Sequence, residues 1–344
     1  RHQSPNGQWD VDGYPDNCDD QPKCEPGQAH QDIQGDVAST GYALLCFLGA
    51  GYDHRTPNKY RSVVANGLDW LKQQAGPAPS EGQFFKQRKM YHNAVAAMAI
   101  VEAYAMTQDP GLKNLAQGVI DFIVAEQNID PREGEDSAYR LGWNYSPNPE
   151  RNDGSVSGWA IMALKSAVAG GLEVGNSMDG AKNYVEGAWK AATKKWENIG
   201  SSDAGGFPYT WNPKNDDITG NNRTPIGALC AVFLGYKAGD VMLQSMINDI
   251  MNDHFPQEYP TNTYYMYYST LAVFQAGGPD WKRWNNVVRD MLIEAQRPAG
   301  DGCFDGSWDW QDTKFHGHDT GRLLSTAYCC LSLEVYYRYV RVNP

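Results

Sequence analysis

The 344-residue chain has no apolar run of about 18 residues or more, so its sequence offers no segment that could cross a bilayer as a helix. It is also short of positive charge. Against 41 Asp and Glu it carries only 29 Lys and Arg, which gives a formal net charge of −12. Polyanionic partners require clustered basic side chains, so this balance disfavours nucleic acid and anionic membrane surfaces as partners.

Cysteine is limited to seven residues, and their surroundings differ. Cys18 and Cys24 lie in a polar, proline-containing stretch, where a local disulfide is one interpretation and would fit an exported protein. Four other cysteines fall in apolar stretches, which favours buried, inert thiols: Cys46, Cys230, Cys329 and Cys330. Because the chain starts at Arg1 rather than Met, we read its start as trimmed or processed. We expect export to the periplasm or the exterior.

Apolar and aromatic residues are plentiful. The chain is 41% hydrophobic and holds 11 Trp and 20 Tyr, enough for a large core and for stacking against sugars or flat hydrocarbons. Six stretches of small and apolar residues show no polar face, which is typical of buried helices; they begin near residues 36, 91, 155, 224, 264 and 322. Five amphipathic stretches lie between them, at 59–74, 109–127, 178–199, 240–255 and 280–296.

This alternation predicts two-helix repeats that close on themselves, with small-residue helices inside and amphipathic helices outside. We therefore expect an all-α, double-layered α/α toroid with about six inner and five to six outer helices. Residues 35–344 would form this single domain. Residues 1–34, which are polar and rich in Pro, Gly, Asp and Gln, would form an irregular lead segment that covers the place of a missing outer helix.

A second pattern lies in the loops that follow the amphipathic stretches, where Gln and a Gly–aromatic pair recur. It is seen in EAQRPAGDGCFDGSWDW at 294–310, in EQN followed by GWNY at 126–145, and in GGFPYTW at 205–211. Together with the helix pairing, these loops resemble the Gln–Trp loops of the α/α-toroid superfamily of squalene-cyclase-like and protein-prenyltransferase-like repeats, with uncharacterised bacterial members as the nearest match. The resemblance runs from about residue 35 to the end. It implies the toroid fold and loops that fasten helix ends.

The chain departs from the catalytic motifs of that superfamily. It has neither the DxDD acid of triterpene cyclases nor the Gly-Cys-Gly-Glu-Gln thioester of complement-like toroids. Asp301 and Cys303, with His316 or His318, resemble the zinc ligands of protein prenyltransferases, but the His follows the Cys too soon for that pattern. We therefore expect Cys303 to be structural or disulfide-bonded, and expect no metal and no cofactor.

An acidic run at 16–20, DNCDD, resembles a diphosphate-binding motif. Such a motif needs its carboxylates on one face of a helix to hold magnesium. Pro15 and the polar flanks instead favour a solvated loop.

The topology itself suggests a site. Inner helices of a toroid run parallel, so their N-termini meet at one mouth, where helix dipoles and free N–H groups favour an anionic ligand or a carboxylate. The residues that open the six inner helices are the candidates: Asp36; Tyr91 with His92 and Asn93; Asp153 with Ser155; Arg223 with Thr224; Tyr264 with Tyr265; and Asp319 with Arg322. The acids and hydroxyls could equally be helix caps, His92 could satisfy a carbonyl, and the arginines could pair with the acids.

For function, we favour a squalene-cyclase-like protein that binds a small ligand, isoprenoid-like or glycan, in a central cavity without cyclase chemistry. One alternative is a carbohydrate-active hydrolase or lyase. It would use two acids at the mouth, or an Arg or Tyr beside them. The other alternative is a non-enzymatic interaction module.

Overall fold

A computed structural model describes residues 1–24, 35–80, 83–85, 90–133, 138–220, 222–310 and 317–338, without the side chains of 77–80, 83, 317–320 and 337–338. Six helices form an inner ring: α1 (Asp36–Gly49), α3 (Met90–Thr107), α5 (Gly154–Ala169), α7 (Thr224–Phe233), α9 (Thr263–Ala276) and α11 (Gly317–Leu333). Each contacts the next, and α11 contacts α1, so the ring closes. The predicted inner layer is confirmed.

The outer layer consists of α2 (Arg61–Gln74), α4 (Pro110–Ala125), α6 (Ser177–Asn198), α8 (Val241–Asp253) and α10 (Gly278–Ala295). A short helix, α12 (Val335–Arg338), packs against α1, α9 and α11 and takes the sixth outer position. The sequence pattern predicted that the last inner helix begins near residue 322, and the chain leaves the inner layer after Leu333. Just before the predicted start, α11 departs from helical geometry at Gly321, whose φ of 64° is readily adopted only by glycine.

Burial explains the two sequence patterns. In α3, every residue from Asn93 to Val101 is 0% exposed, because inner helices touch neighbours on all sides. Small residues allow this closeness: a β-carbon on Gly41 of α1 would lie 3.1 Å from Cα of Ala96 in α3. Outer helices bury only one stripe, as the amphipathic spacing predicts. In α2, for example, Val64, Leu68 and Leu71 are buried while Arg61 is exposed.

Short strands show how the inner helices are oriented. β3 (Asn152–Asp153), β4 (Thr210–Asn212) and β5 (Asp217–Thr219) form an antiparallel sheet in which Asp153 pairs with Thr210, so α5 and α7 begin at the same end of the ring. At the opposite end, Gln108 after α3 donates a hydrogen bond to the Gly170 carbonyl after α5. We call the end where the inner helices begin the mouth. A hairpin of β1 (Ala75–Ser80) and β2 (Gln83–Phe85) lies between α2 and α3.

The recurring Gln and Trp residues fasten helix ends, as the family resemblance implies. Trp143 Nε1 donates to the Ile123 carbonyl near the end of α4, at 2.8 Å, and Trp308 Nε1 donates to the Leu292 carbonyl near the end of α10, also at 2.8 Å. Gln127 Nε2 donates to the Leu141 carbonyl at 2.7 Å. Each bond satisfies a buried backbone or side-chain group that water cannot reach.

Aromatic side chains fill the middle of the ring. The Tyr42 hydroxyl lies 2.9 Å from that of Tyr91 and 2.8 Å from that of Tyr328, and Trp159 Nε1 donates to Tyr91 at 3.0 Å. Tyr267 stacks on Trp159, with ring centres 6.1 Å apart. These side chains therefore occupy the centre of the ring, where the sequence analysis expected a ligand cavity. Among the described residues, no helix is both long and apolar enough to span a membrane.

Candidate functional site

Asp153 closes β3 and caps α5. Its Oδ1 accepts hydrogen bonds from the Ser155 and Val156 amides, at 2.9 and 3.1 Å, and from the Ser155 hydroxyl at 2.6 Å. Its Oδ2 lies 3.0 Å from Arg151 Nη2. The carboxylate is 0% exposed, and its Oδ2 has the ion pair with Arg151 but accepts no hydrogen bond. Helix capping accounts for Oδ1 and for Ser155.

Two arginines and two tyrosines meet at the mouth, and we name them the Arg–Tyr cluster: Arg151, Tyr209, Arg223 and Tyr265. The guanidinium carbons of Arg151 and Arg223 lie 5.6 and 5.0 Å from the centre of the Tyr209 ring. Arg223 is also 5.4 Å from the Tyr265 ring and donates to its hydroxyl. All four side chains are half-buried. The pairing of β3 with β4 brings Arg151 and Tyr209 together, and the starts of α7 and α9 supply the other two residues.

Two carboxyl groups, Asp203 and Asp249, lie beside this cluster, and we name them the acid pair. Asn222 Nδ2 donates to both, at 3.1 Å to Asp203 Oδ1 and at 3.1 and 3.2 Å to the two Asp249 oxygens. The carboxyl oxygens that share this nitrogen are therefore within about 6 Å of each other. Burial raises the pKa of Asp249 to about 6, and the charges of Asp253 and Asp203 add to the effect.

His254 links the acid pair to the Arg–Tyr cluster. Its Nε2 lies 3.5 Å from Asp249 Oδ2, and its ring meets the Tyr265 ring edge-on with centres 5.2 Å apart. Burial lowers the pKa of His254, which favours the neutral imidazole. A protonatable acid and a neutral imidazole thus adjoin two guanidinium groups.

The sequence analysis missed the acid pair and His254. Asp203 lies in the loop between α6 and β4, and only the fold brings Asp249 of α8 beside it. One signal was available: Asp249 falls on the buried stripe of α8 with Met242, Met246 and Ile250, where an acid is out of place.

The tyrosines predicted at the mouth lie at the edge of the central aromatic packing. Tyr91 stacks with Tyr145, whose hydroxyl is 3.4 Å from Ser155 Oγ, and Tyr264 contacts Tyr265 and Tyr328 at ring distances of 5.6 and 5.8 Å. Burial raises the pKa values of Tyr91 and Tyr264, so both hydroxyls stay protonated near neutral pH. The half-buried ring of the neighbouring His92 lies 6.3 Å from that of Tyr91.

Asp36 and Asn93 hold other segments in place. Asp36 Oδ1 accepts the Val11 amide at 3.0 Å, which ties the lead segment to the first turn of α1, and Gly35 rather than Asp36 is the N-cap residue. Burial raises the pKa of Asp36, to which the charges of Asp10 and Asp12 contribute. Asn93 Oδ1 accepts the amides of residues 84 and 85 in β2.

Arg322 is 4% exposed and pairs with Asp309, a residue outside the predicted set, at 2.5 Å. It also donates to Ser307 Oγ at 2.9 Å and lies 4.5 Å from the centre of the Phe304 ring. This ion pair explains Arg322 as a structural residue of the loop before α11. The side chain of Asp319 lies outside the part of the chain that the structure describes. The same holds for the side chains of His316 and His318, the histidines of the predicted zinc set.

The acidic run at 16–20 belongs to a loop with a single 3₁₀ turn, Tyr14–Asn17, and its three aspartates are exposed, which agrees with the solvated-loop interpretation. Cys18 and Cys24 are free, buried thiols and no disulfide joins them. The division at residue 34 stays a prediction because 25–34 lie outside the described part of the chain. The four cysteines of the apolar stretches are also free thiols; Cys230 and Cys329 are buried, and Cys46 and Cys330 are half-buried.

No protein-family model matches the chain, and no curated protein matches its sequence. Several solved structures do match in fold. An inactive variant of the α-1,6-mannanase GH76A of Salegentibacter sp. HEL1_6, in complex with α-1,6-mannotriose, superposes with a TM-score of 0.57 at 11% identity, covering 97% of this chain and 94% of that one. The cellobiose 2-epimerase from Spirochaeta thermophila DSM 6192 has a TM-score of 0.59 at 14% identity, covering 87% and 86%.

A third match is a family 76 glycoside hydrolase (mannosidase) from Bacteroides thetaiotaomicron VPI-5482, with a TM-score of 0.58 at 11% identity, covering 88% of this chain and 85% of that one. The chain is an α/α toroid. At these identities the likeness establishes the fold alone. It does not confirm the squalene-cyclase-like branch that the sequence resembles.

Proposed function

We propose that this toroid is a carbohydrate-active protein that binds a glycan at its mouth. The observation that carries the proposal is the Arg–Tyr cluster beside the acid pair. Half-buried tyrosine rings offer apolar faces with a polar tip, and guanidinium groups offer fixed arrays of donors to hydroxyl or carboxylate oxygens. The toroid fold is shared with a mannanase solved with a mannotriose and with a sugar epimerase, which supports a glycan over an isoprenoid ligand.

Within this site, the acid pair is best suited to proton transfer. General acid catalysis works best when the pKa of the acid lies near the working pH, and that of Asp249 is about 6. Asp203, half-buried beside it, would serve as the second carboxyl group of a glycosidase. Asp153 suits this role less well, because it is 0% exposed, its Oδ1 caps α5 and its Oδ2 forms an ion pair with Arg151. We therefore propose hydrolysis of a glycosidic bond.

The details would differ from those of the mannanase above, which was inactivated by replacing two consecutive aspartates. Consecutive aspartates occur in this chain only at 19–20 and 216–217, and all four are exposed, at a loop, a turn and the start of β5. A lyase mechanism has weaker support, because burial raises the pKa of Tyr265 to about 12 and makes it a poor base at neutral pH. We also propose that the protein is exported from the cytoplasm, because polymeric glycan substrates occur outside the cell.

The test is hydrolysis of α-1,6-linked manno-oligosaccharides, cello-oligosaccharides and oligouronates, followed by the release of reducing ends and, for lyase action, by the absorbance of unsaturated uronates. We expect reducing ends without unsaturated product, and loss of activity in Asp249→Asn. Activity in Lys182→Met should be unchanged; this control removes a cation that lies 5.3 Å from the Tyr236 ring after α7, at the opposite end of the ring. Full activity in Asp249→Asn would exclude the acid pair, and unsaturated product would favour the lyase.

A further inference from the structure

Four side chains with metal-ligating atoms converge between the lead segment and the loop before α11. Cys24 Sγ lies 2.7 Å from Cys303 Sγ, and His2 Nε2 lies 3.2 Å from each of these two sulfur atoms. The ligand atoms of His2, Cys18 and Cys303 are all within 4.8 Å of one another. The three thiols are each 2% exposed, and His2 is half-buried. Residues distant in sequence thus bring the ligand atoms of His2, Cys18 and Cys303 together, and the Cys24 sulfur contacts two of them.

The chemistry of these ligand atoms favours zinc over magnesium or calcium. Magnesium and calcium prefer oxygen ligands, whereas three cysteines and one histidine are a common set for tetrahedral zinc. Zinc–sulfur bonds of about 2.3 Å imply sulfur–sulfur edges of about 3.8 Å, so the thiols would move apart by about 1 Å to admit the ion. The Cys24–Cys303 separation of 2.7 Å lies between this edge and the S–S bond of a disulfide, about 2.05 Å, so a disulfide between the two is the competing arrangement.

The surroundings also suit a buried ion. The His2 ring meets the Tyr14 ring edge-on at 5.5 Å, and Tyr14 and Leu323 pack against the thiols. Cys18 Sγ is 3.9 Å from Asp20 Oδ2, which is itself paired with Arg1 at 2.9 Å. Groups of this kind, in contact with the ligating side chains, orient those side chains in metal sites. Four protein ligands leave no open position, which is the pattern of structural rather than catalytic zinc.

We propose that His2, Cys18, Cys24 and Cys303 bind one zinc ion, which links the segments before the first and last inner helices at the mouth. The lead segment runs into α1 and the Cys303 loop runs into α11, and these two helices are the first and last of the inner ring. The ion joins the segments that precede them, so it stabilises closure of the ring where no full-length outer helix is present among the described residues. This site differs from the set of Asp301, Cys303 and a later His that the sequence resembles.

The test measures zinc by mass spectrometry in the full chain, purified without a histidine tag. We expect one zinc ion per chain, retained in Cys46→Ser and lost in Cys303→Ser and Cys18→Ser. Cys46 is the matched control, because its half-buried thiol lies in α1 and contacts the Ala327 carbonyl.

Because a cysteine variant could fail to fold, the wild-type chain is also stripped of metal and titrated with Co²⁺. Intense near-ultraviolet thiolate-to-cobalt absorption with tetrahedral visible bands is expected. Three results would overturn the proposal: no zinc together with no such absorption, a Cys24–Cys303 disulfide in the isolated protein on non-reducing peptide mapping, or zinc retained in a folded Cys303→Ser variant. None of these depends on glycan binding.

Discussion

Replacing Gly187 by alanine tests how closely Trp211 of β4 packs onto α6. A β-carbon at this position would lie 2.4 Å from Cη2 of Trp211 and 2.9 Å from its Cζ2. The indole is 1% exposed and packs against the Tyr184 ring, with centres 6.3 Å apart, so it has little room to retreat. We expect Gly187→Ala to destabilise the fold, although alanine normally stabilises a helix.

Gly118→Ala in α4 is the matched control. Its β-carbon would meet the Phe84 ring at an ordinary 3.7 Å, so only the helix-propensity gain of about 1 kcal/mol should appear. Gly187→Ala has the same gain but adds an overpacking cost of about 1–3 kcal/mol. The two variants should therefore differ by about 1–3 kcal/mol in the free energy of unfolding.

Thermal and urea unfolding followed by circular dichroism would measure this difference. With an unfolding entropy of about 2.1 cal/mol/K per residue, it corresponds to about 1–4 °C in Tm. If Gly187→Ala is as stable as Gly118→Ala, then the Trp211 ring can move aside and the argument from close packing is wrong.

Three further predictions concern individual contacts. Trp143→Phe removes the bond to the Ile123 carbonyl and should lower the free energy of unfolding in urea by about 1–3 kcal/mol; an unchanged midpoint would mean that water replaces the indole. The pKa of Asp249 is raised from 3.8 to about 6, so its contribution to stability is present below pH 3.8 and is lost as the pH rises through 6. Asp249→Asn should remove this loss, so at pH 7.5 its free energy of unfolding should exceed that of wild type by up to about 3 kcal/mol. A Tm no higher than that of wild type would contradict the raised pKa. Asp36→Ala removes the acceptor for the Val11 amide, and limited proteolysis should cut residues 1–24 about fivefold faster, with an unchanged rate arguing against this anchor.

Periodicity was sufficient to predict the helical layers because each layer buries its residues differently. The six inner helices begin within about five residues of their predicted starts, including Thr224 and Thr263. Ends were less predictable: α7 stops at Phe233 because Gly235 turns the chain with a φ of 95°. The break at Gly321 falls just before the predicted start near residue 322, so the apolar pattern describes only the part of α11 that follows it.

The site was predictable only where it lies on helix N-termini. Asp153 and Arg223 could be named because parallel inner helices bring their first residues together. The Asn222-bridged acid pair could not, because a loop and the end of an outer helix meet there only in the folded ring. Likewise, the sequence offered Cys303 a nearby histidine as partner, whereas its contacts come from about 280 to 300 residues away, in the lead segment.

Glycan binding by the Arg–Tyr cluster is the central claim, and calorimetric titration tests it most directly. α-1,6-Mannotetraose, cellotetraose and a tetrauronate would be titrated into wild type, Arg223→Met and Lys182→Met. We predict that at least one of them binds wild type and Lys182→Met equally, and that it binds Arg223→Met about tenfold or more weakly, a loss of about 1.4 kcal/mol or more. Equal affinity in all three proteins, or no binding of any of these glycans to wild type, would contradict the claim.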